Sequence, residues 1–164
     1  MQAIKPLLYI FFILSSNVSY GNNTQILVEL KKWHKVSLVF EGPETSETDE
    51  FNPFYHYRLD VAFSHSTSGK SYVVPGYYAA DGDASQTGAS SGNIWKVHFR
   101  PDELGEWTYS VKFTKGRWAA IRDHKEDASG GFMDNDSGKF TITKSDKTGR
   151  DMRAHGRLEF IGER

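Results

Sequence analysis

The sequence predicts an all-β protein: an immunoglobulin-like antiparallel β-sandwich of about seven strands, preceded by a signal peptide. Three observations predict it. Aromatic residues make up 14% of the 164 residues, with four Trp and eight Tyr, and pleated, half-buried surfaces favour such side chains. Apolar and polar residues alternate with a period of two in one segment after another, as in strands with one dry and one wet face. Turn-forming Gly, Asp, Asn and Ser separate these segments, and no helical periodicity of useful length intervenes.

The first residues read as an address. Lys5 precedes an apolar run of nine residues, Pro6 to Leu14, and residues 15–19 turn polar. Ser19 and Gly21 then place small residues three and one before a cut ahead of Asn22. That order matches a secretory signal peptide over residues 1–21, and the run is short for a bilayer span. An uncleaved N-terminal anchor is the alternative. Residues 22–30 follow as a flexible segment, 31–145 as the sandwich, and 146–164 as a linker that starts a following domain.

The expected strands come in order. In residues 33–40, Val36, Leu38 and Phe40 share a face. In residues 55–64, Tyr55, Tyr57, Leu59, Val61 and Phe63 point inward, while His56, Arg58, Asp60 and Ser64 point outward. Residues 71–78 form a third strand that ends or bulges at Pro75-Gly76. Residues 94–100 and 106–113 form a hairpin around Pro101-Asp102-Glu103-Leu104-Gly105, with Trp95, Val97, Phe99, Trp107, Tyr109, Val111 and Phe113 inward. Residues 138–143 follow, with Phe140 and Ile142 inward, and 157–161 make a seventh strand. The acidic stretch 41–52 and the small-residue stretch 81–92 read as solvated loops. Residues 115–137 are the least regular, with one helical turn expected over 119–125.

Composition excludes several chemistries. A formal net charge of -1 offers no basic field for nucleic acid. The absence of Cys excludes thiolate metal sites and cysteine nucleophiles. Six His without HxH or HExxH spacing give zinc no support. Asp81-Gly82-Asp83 and Asp134-Asn135-Asp136 both offer oxygens, but the second run has Ser145 where an EF-hand needs its bidentate Glu. Asx turns account for both runs; calcium on Asp134 and Asp136 stays open as the alternative. The sequons at Asn22 and Asn135 matter only in a eukaryotic secretory pathway.

His98, Arg100, Asp102 and Glu103 have the residue types of a catalytic centre. With period two, His98 falls on the wet face beside Lys96 and Arg100, and the two acids fall at the hairpin tip. A general base needs a partner and a cleft, and neither is expected there. Residues 76–84 are a better surface candidate, because one of Tyr77 and Tyr78 must face outward in an extended chain. Exposed rings beside Asp hold sugars by CH–π stacking and hydrogen bonds. Tyr78, Asp81 and Asp83 are therefore carbohydrate-binding candidates, with Trp118 as a second platform. Buried Tyr with a satisfied hydroxyl is the alternative.

The runs "KWHKVSLVFEGP", "VVPGYYAADGDA", "SGNIWKVHFRPDELGEWTYSVKF" and "SGKFTITKSDKTGRDMRAHGRLEFIGE" together resemble the DUF5060 domain, over residues 30–164. The resemblance implies a β-sandwich at the N-terminus of secreted bacterial glycoside hydrolases and related polysaccharide-degrading proteins, ahead of a (β/α)-barrel. It brings no catalytic residues. It implies a secreted, periplasmic or cell-surface location in bacteria. It implies polysaccharide or a glycoside hydrolase catalytic domain as partner, with no nucleic acid and no membrane after signal cleavage. A barrel needs at least about 200 further residues, so the chain alone is expected not to be an enzyme. Three readings follow. The first is a non-catalytic accessory domain that packs on the catalytic domain, with Lys144, Lys147, Arg150, Arg153 and Arg157 leading into the linker or interface. The second is a carbohydrate-binding module, and the third a small independent hydrolase using His98 or His155.

Overall fold

The computed structural model describes residues 24–27, 29–122, 128–158 and 162. The expected signal peptide and residues 159–161 of the seventh expected strand lie outside them. Among the described residues, nine strands follow in chain order: β1 (Thr24–Leu27), β2 (Val36–Ser46), β3 (Tyr57–His65), β4 (Ser71–Pro75), β5 (Tyr77–Tyr78), β6 (Ser91–Phe99), β7 (Gly105–Lys115), β8 (Ala128–Ser129) and β9 (Ser137–Ile142). Single helical turns occur as α1 (Pro53–His56), α2 (Ala84–Thr87) and α3 (Met152–His155). One sheet has the order β1-β2-β6-β5; the other has β4-β3-β7, with β8 and β9 pairing different halves of β7. All these pairings are antiparallel, so the expected all-β sandwich is the observed fold. No helix among the described residues is long and apolar enough to cross a membrane.

The alternation is what closes the two sheets on each other. β3 is buried at every second residue, so Tyr57, Leu59, Val61 and Phe63, beside the inner residues of β7 in the same sheet, face Trp95, Val97 and Phe99 of β6. Phe63 stacks on Phe99 with ring centroids 4.2 Å apart, and Trp95 meets Phe113 edge-on at 5.0 Å. Each such pair joins one sheet to the other. Full burial of a large apolar side chain stabilises by roughly 1.5–3 kcal/mol, so rings supply most of the cohesion of a cysteine-free domain.

Three local readings change. β1 arises inside the stretch expected to be flexible, because Thr24 to Leu27 align with Phe40 to Ser37 and complete the sheet edge. β2 continues to Ser46 through residues expected to be loop: after a register shift between Glu41 and Thr45, the strand resumes opposite Gly92 and Ser91. Gly92 suits this corner alone, with φ +150° and its Cα so near Ala80 that a Cβ would lie 2.4 Å from the Ala80 carbonyl oxygen. Third, Tyr55 is exposed instead of inward. The Asn52 side chain accepts from Phe54 N–H at 2.8 Å and Pro53 occupies the first turn, so the chain makes one helical turn before β3 begins.

The strand registers give the sandwich two ends. One gathers residues 46–56, 76–92, 115–122 and 128–133. The other gathers residues 31–34, 66–70 and 100–104, with the chain after β9. There Thr143 N–H donates to Leu30 O at 2.9 Å, and Lys32 N–H to Thr143 O at 2.8 Å. Arg157 and Leu158, expected in a strand, have no strand pairing among the described residues.

Candidate functional site

Register decides which tyrosine is inside. β5 pairs Tyr77 with Lys96 and Tyr78 with Trp95, so Tyr78 shares the inward side of Trp95 and is only 7% exposed. Its hydroxyl donates to Thr45 O at 2.5 Å, with Gly92 O 3.1 Å away, and burial together with Glu44, Glu47 and Asp49 pushes the phenol pKa up. Tyr78 is therefore a core residue, which corrects its reading as the outward ring. Tyr77 takes that place at 45% exposure, its hydroxyl 3.0 Å from His98 Nε2.

Asp81 and Asp83 act in their own turn. Asp81 Oδ1 accepts from Asp83 N–H at 2.8 Å, and Lys96 Nζ donates to the carbonyl of Gly82 between them. The Asp81 carboxyl is lowered first by the Thr87 hydroxyl and then by the Asp83 amide. Asp134 and Asp136 also serve the fold. Asp134 Oδ1 accepts from Phe113 N–H at 2.8 Å, its Oδ2 from Asn135 Nδ2 at 3.1 Å, and Asp136 Oδ2 from Thr24 Oγ1 at 3.4 Å. Another group with metal-ligand chemistry, Glu29, His34 and Asp146, brings its ligand atoms within 4.8 Å of one another. Lys31 Nζ sits 2.8 Å from Asp146 and 3.8 Å from Glu29, so an ammonium already supplies the positive charge.

Trp118 belongs to a ledge of rings at the first end. Its N–H donates to His56 Nδ1 at 3.2 Å, and its half-buried indole lies edge-on to Tyr55 with centroids 5.5 Å apart. Phe51 stacks on His56 at 4.4 Å. Phe51, Phe54, Tyr55, Tyr77 and Ile121 are all exposed here. Between Phe54, Tyr77 and Ile121 opens a cleft of about 360 Å³, lined also by Arg58, Asp60 and Arg122 among others. Arg58 Nε donates to Asp60 Oδ2 at 2.7 Å on its wall. Ring faces suit the C–H face of a sugar, and a guanidinium–carboxylate pair suits neighbouring hydroxyls. The sequence did carry a signal for this ledge: Asn-Pro before two aromatics opens a helical turn, and a helical turn moves Phe54 and Tyr55 out of the strand alternation.

The opposite end has a second cleft, of about 600 Å³, between β4, the end of β6 and the chain around α3. Asp102 lies on its wall and is 7% exposed, which corrects its expected place at a solvated tip. It is buried because the turn after β6 folds onto β4, where Tyr72 and Lys70 donate to Oδ2 at 2.8 and 3.2 Å. Glu103 meets the same Lys70 at 2.5 Å. His98 is exposed on the outer face, as expected, with Nδ1 2.8 Å from Ser37 Oγ. Burial first, and then Lys35 and Lys96, lower its pKa. His155 Nε2 lies 2.5 Å from Gly149 O. Lys31 and His34 hold the chain after β9, His34 Nε2 being 3.1 Å from Ser145 Oγ. Gly156 packs so close to Trp33 that a Cβ would lie 2.8 Å from the indole ring.

Comparison with known proteins follows this architecture. Among curated proteins none matches the chain. One solved structure, described as a "putative glycoside hydrolase" from Bacteroides vulgatus, is similar at 22% identity with a TM-score of 0.47. The match covers 73% of this chain but only 17% of that one. The family model of DUF5060, a domain of unknown function, matches residues 29–114, which include β2 to β7 and more than half of the chain. The chain belongs to the DUF5060 family.

Proposed function

We propose that the chain is a non-catalytic accessory domain of a secreted or periplasmic polysaccharide-degrading glycoside hydrolase, and that it holds the polysaccharide at its aromatic end. The observation that carries this reading is the grouping of Phe54, Tyr77 and Ile121, all exposed, around a cleft walled by the Arg58–Asp60 pair. Large rings left in water lose roughly 1.5–3 kcal/mol each relative to burial, so their collection at one end favours a ligand that covers them. The resemblance of the chain's motifs to domains that precede glycosidase barrels supplies the polysaccharide context. The test is retention of the mature chain in gels cast with a panel of polysaccharides. Retention by at least one glycan, reduced by Tyr77→Ala at unchanged melting temperature, supports the reading; no retention by any of the panel sinks it.

A second reading, packing against a catalytic domain, is favoured by the other end. Val73, Leu104, Met152 and Leu158 are exposed there, beside the segment that follows β9. Hydrogen exchange of the chain, with and without a DUF5060-associated glycosidase barrel added in trans, tests it. Protection confined to that face is expected, and unchanged exchange rejects it.

A further inference from the structure

We propose that the larger cleft, at the end opposite the aromatic ledge, binds an acidic saccharide, a sugar carrying a carboxylate or a sulfate ester. The cleft exists because the sandwich is open there. β5 pairs with β6 at Trp95 and Lys96, so among the described residues the last residues of β6 have no strand paired on that side, and β4 is the edge of the other sheet. The gap between these two edges reaches the inner ring of Phe99 and is walled by Tyr72, Val73 and Met152.

The charge on its walls is one-sided. Arg100, Arg153 and Arg157 line the cleft, with Asp102 as the one acid among the described residues that line it. The Asp102 charge is taken up by Lys70 and Tyr72, and Arg153 is held by Asp151 at 2.6 Å. Arg157 acts on Tyr72 through its charge. Arg100 is exposed, and its side chain makes no hydrogen bond or ion pair among the described residues. Lowering of the His98 pKa leaves a neutral imidazole beside it at neutral pH, so His98 neither repels nor consumes a cation. A guanidinium without a carboxylate, set against half-apolar walls, is matched to a planar or trigonal oxyanion, which it can grip with two parallel N–H bonds. The apolar walls lower the local dielectric and strengthen that grip.

These two properties together define the ligand. A bare inorganic anion would use Arg100 but leave Tyr72, Val73 and Met152 uncovered. A neutral sugar would cover the apolar wall but leave the guanidinium unmatched. A pyranose with an acid group satisfies both, its C–H face on the wall and its oxyanion on Arg100. A nucleic acid is not favoured, because a net charge of -1 provides no wider basic field. The saccharide part of this assignment rests on the polysaccharide role proposed above; the acidic part rests on the arginines alone.

The experiment is calorimetric titration of the mature chain with three oligosaccharides of equal length: a polyuronate, a sulfated chain and a neutral one. Tyr77→Ala and Arg100→Gln variants run in parallel, and each variant is first shown to melt with the wild type. Binding of the polyuronate or the sulfated chain, weakened at least about tenfold by Arg100→Gln and untouched by Tyr77→Ala, is the expected result, tenfold being about the loss of one charge-assisted hydrogen bond. Which of the two acidic arms binds identifies the oxyanion. Acidic binding that survives Arg100→Gln, or no acidic binding at all, overturns the proposal. Sodium sulfate or free glucuronate binding as tightly as the oligosaccharides overturns its saccharide part. Neutral binding lost only in Tyr77→Ala bears on the aromatic end alone, so the two sites can fail separately.

Discussion

Tyr72 Oη donates a 2.8 Å hydrogen bond to Oδ2 of Asp102, tying the edge strand β4 to the turn that joins β6 to β7. The second carboxylate oxygen of Asp102 is buried with no hydrogen-bond partner among the described residues, so Oδ2 carries the satisfaction of the whole group. Burial pushes this carboxyl up, but the bonds from Tyr72 and Lys70 outweigh it and hold the pKa below the ordinary aspartate value. A carboxyl lowered by folding contributes stability that is full above the unfolded pKa, about 3.9, and is lost as pH falls through the folded value.

Tyr72→Phe removes one donor to a buried charge and should destabilise the domain by about 1.5–3 kcal/mol at pH 7. Urea unfolding at pH 7 and at pH 2.5 checks it: the gap between variant and wild type should narrow at the lower pH. A gap that is the same at both values would mean that the ring, not the hydroxyl, matters.

The two adjacent tyrosines should behave as opposites. Tyr78→Ala removes a ring packed against Trp95 and Phe54 and a hydroxyl bonded to Thr45 O, for a loss of roughly 3–5 kcal/mol. Tyr77→Ala removes an exposed ring and should cost under about 1 kcal/mol, seen as a small change in thermal midpoint. Equal losses would place Tyr77 in the core and end its candidacy as a ligand platform.

Gly92→Ala and Gly88→Ala separate backbone strain from collision. Gly88 has φ +71° with open space around it, so Ala there should lose about 1–2 kcal/mol of stability from strain. Gly92→Ala adds contact with the Ala80 backbone, and its loss should exceed that of Gly88→Ala in denaturant melts. A smaller loss would show that the corner after β2 can relax.

Asp146→Asn should loosen the segment after β9 without unfolding the sandwich. The Lys31 ammonium, donating at 2.8 Å, brings the Asp146 carboxyl down to about 2, with help from Lys147. The tether is therefore complete above the usual aspartate range and weakens as pH falls towards 2. Lower amide protection over residues 147–156, relative to intrinsic exchange at the same pH, in the variant at pH 7 and in the wild type near pH 2, is the expected readout; identical protection would assign the tether to Trp33 and Gly156 instead.

Alternation made the strands legible wherever one face is buried along their whole length. Tyr57 to Phe63 and Trp107 to Phe113 carry an apolar residue at every second place, and both became central strands. β1 was not legible, because Thr24-Gln25-Ile26-Leu27 is too short to show a period and becomes a strand only by pairing with β2. The candidate site was half legible. Alternation requires one of Tyr77 and Tyr78 to face out, but the choice between them depends on the register with β6, which no local pattern contains. The burial of Asp102 was hidden for a related reason: its partners Lys70 and Tyr72 lie on a different strand, and a turn sequence rich in Pro and acid looks solvated until that strand is placed.

The neighbours within each sheet set the pace at which this domain forms. β2 pairs with β6, and β3 pairs with β7, so the central ladders of both sheets join segments far apart in the chain while the β3–β4 hairpin is among the few local contacts. Chain closure must precede most of the reward, which puts folding in the millisecond-to-second range typical of β-sandwiches. During that interval β2 and β6, each with a buried apolar face in the finished protein, are unpaired and open to other chains. Dilution during refolding should therefore raise the yield of this cysteine-free domain, where a redox buffer would change nothing.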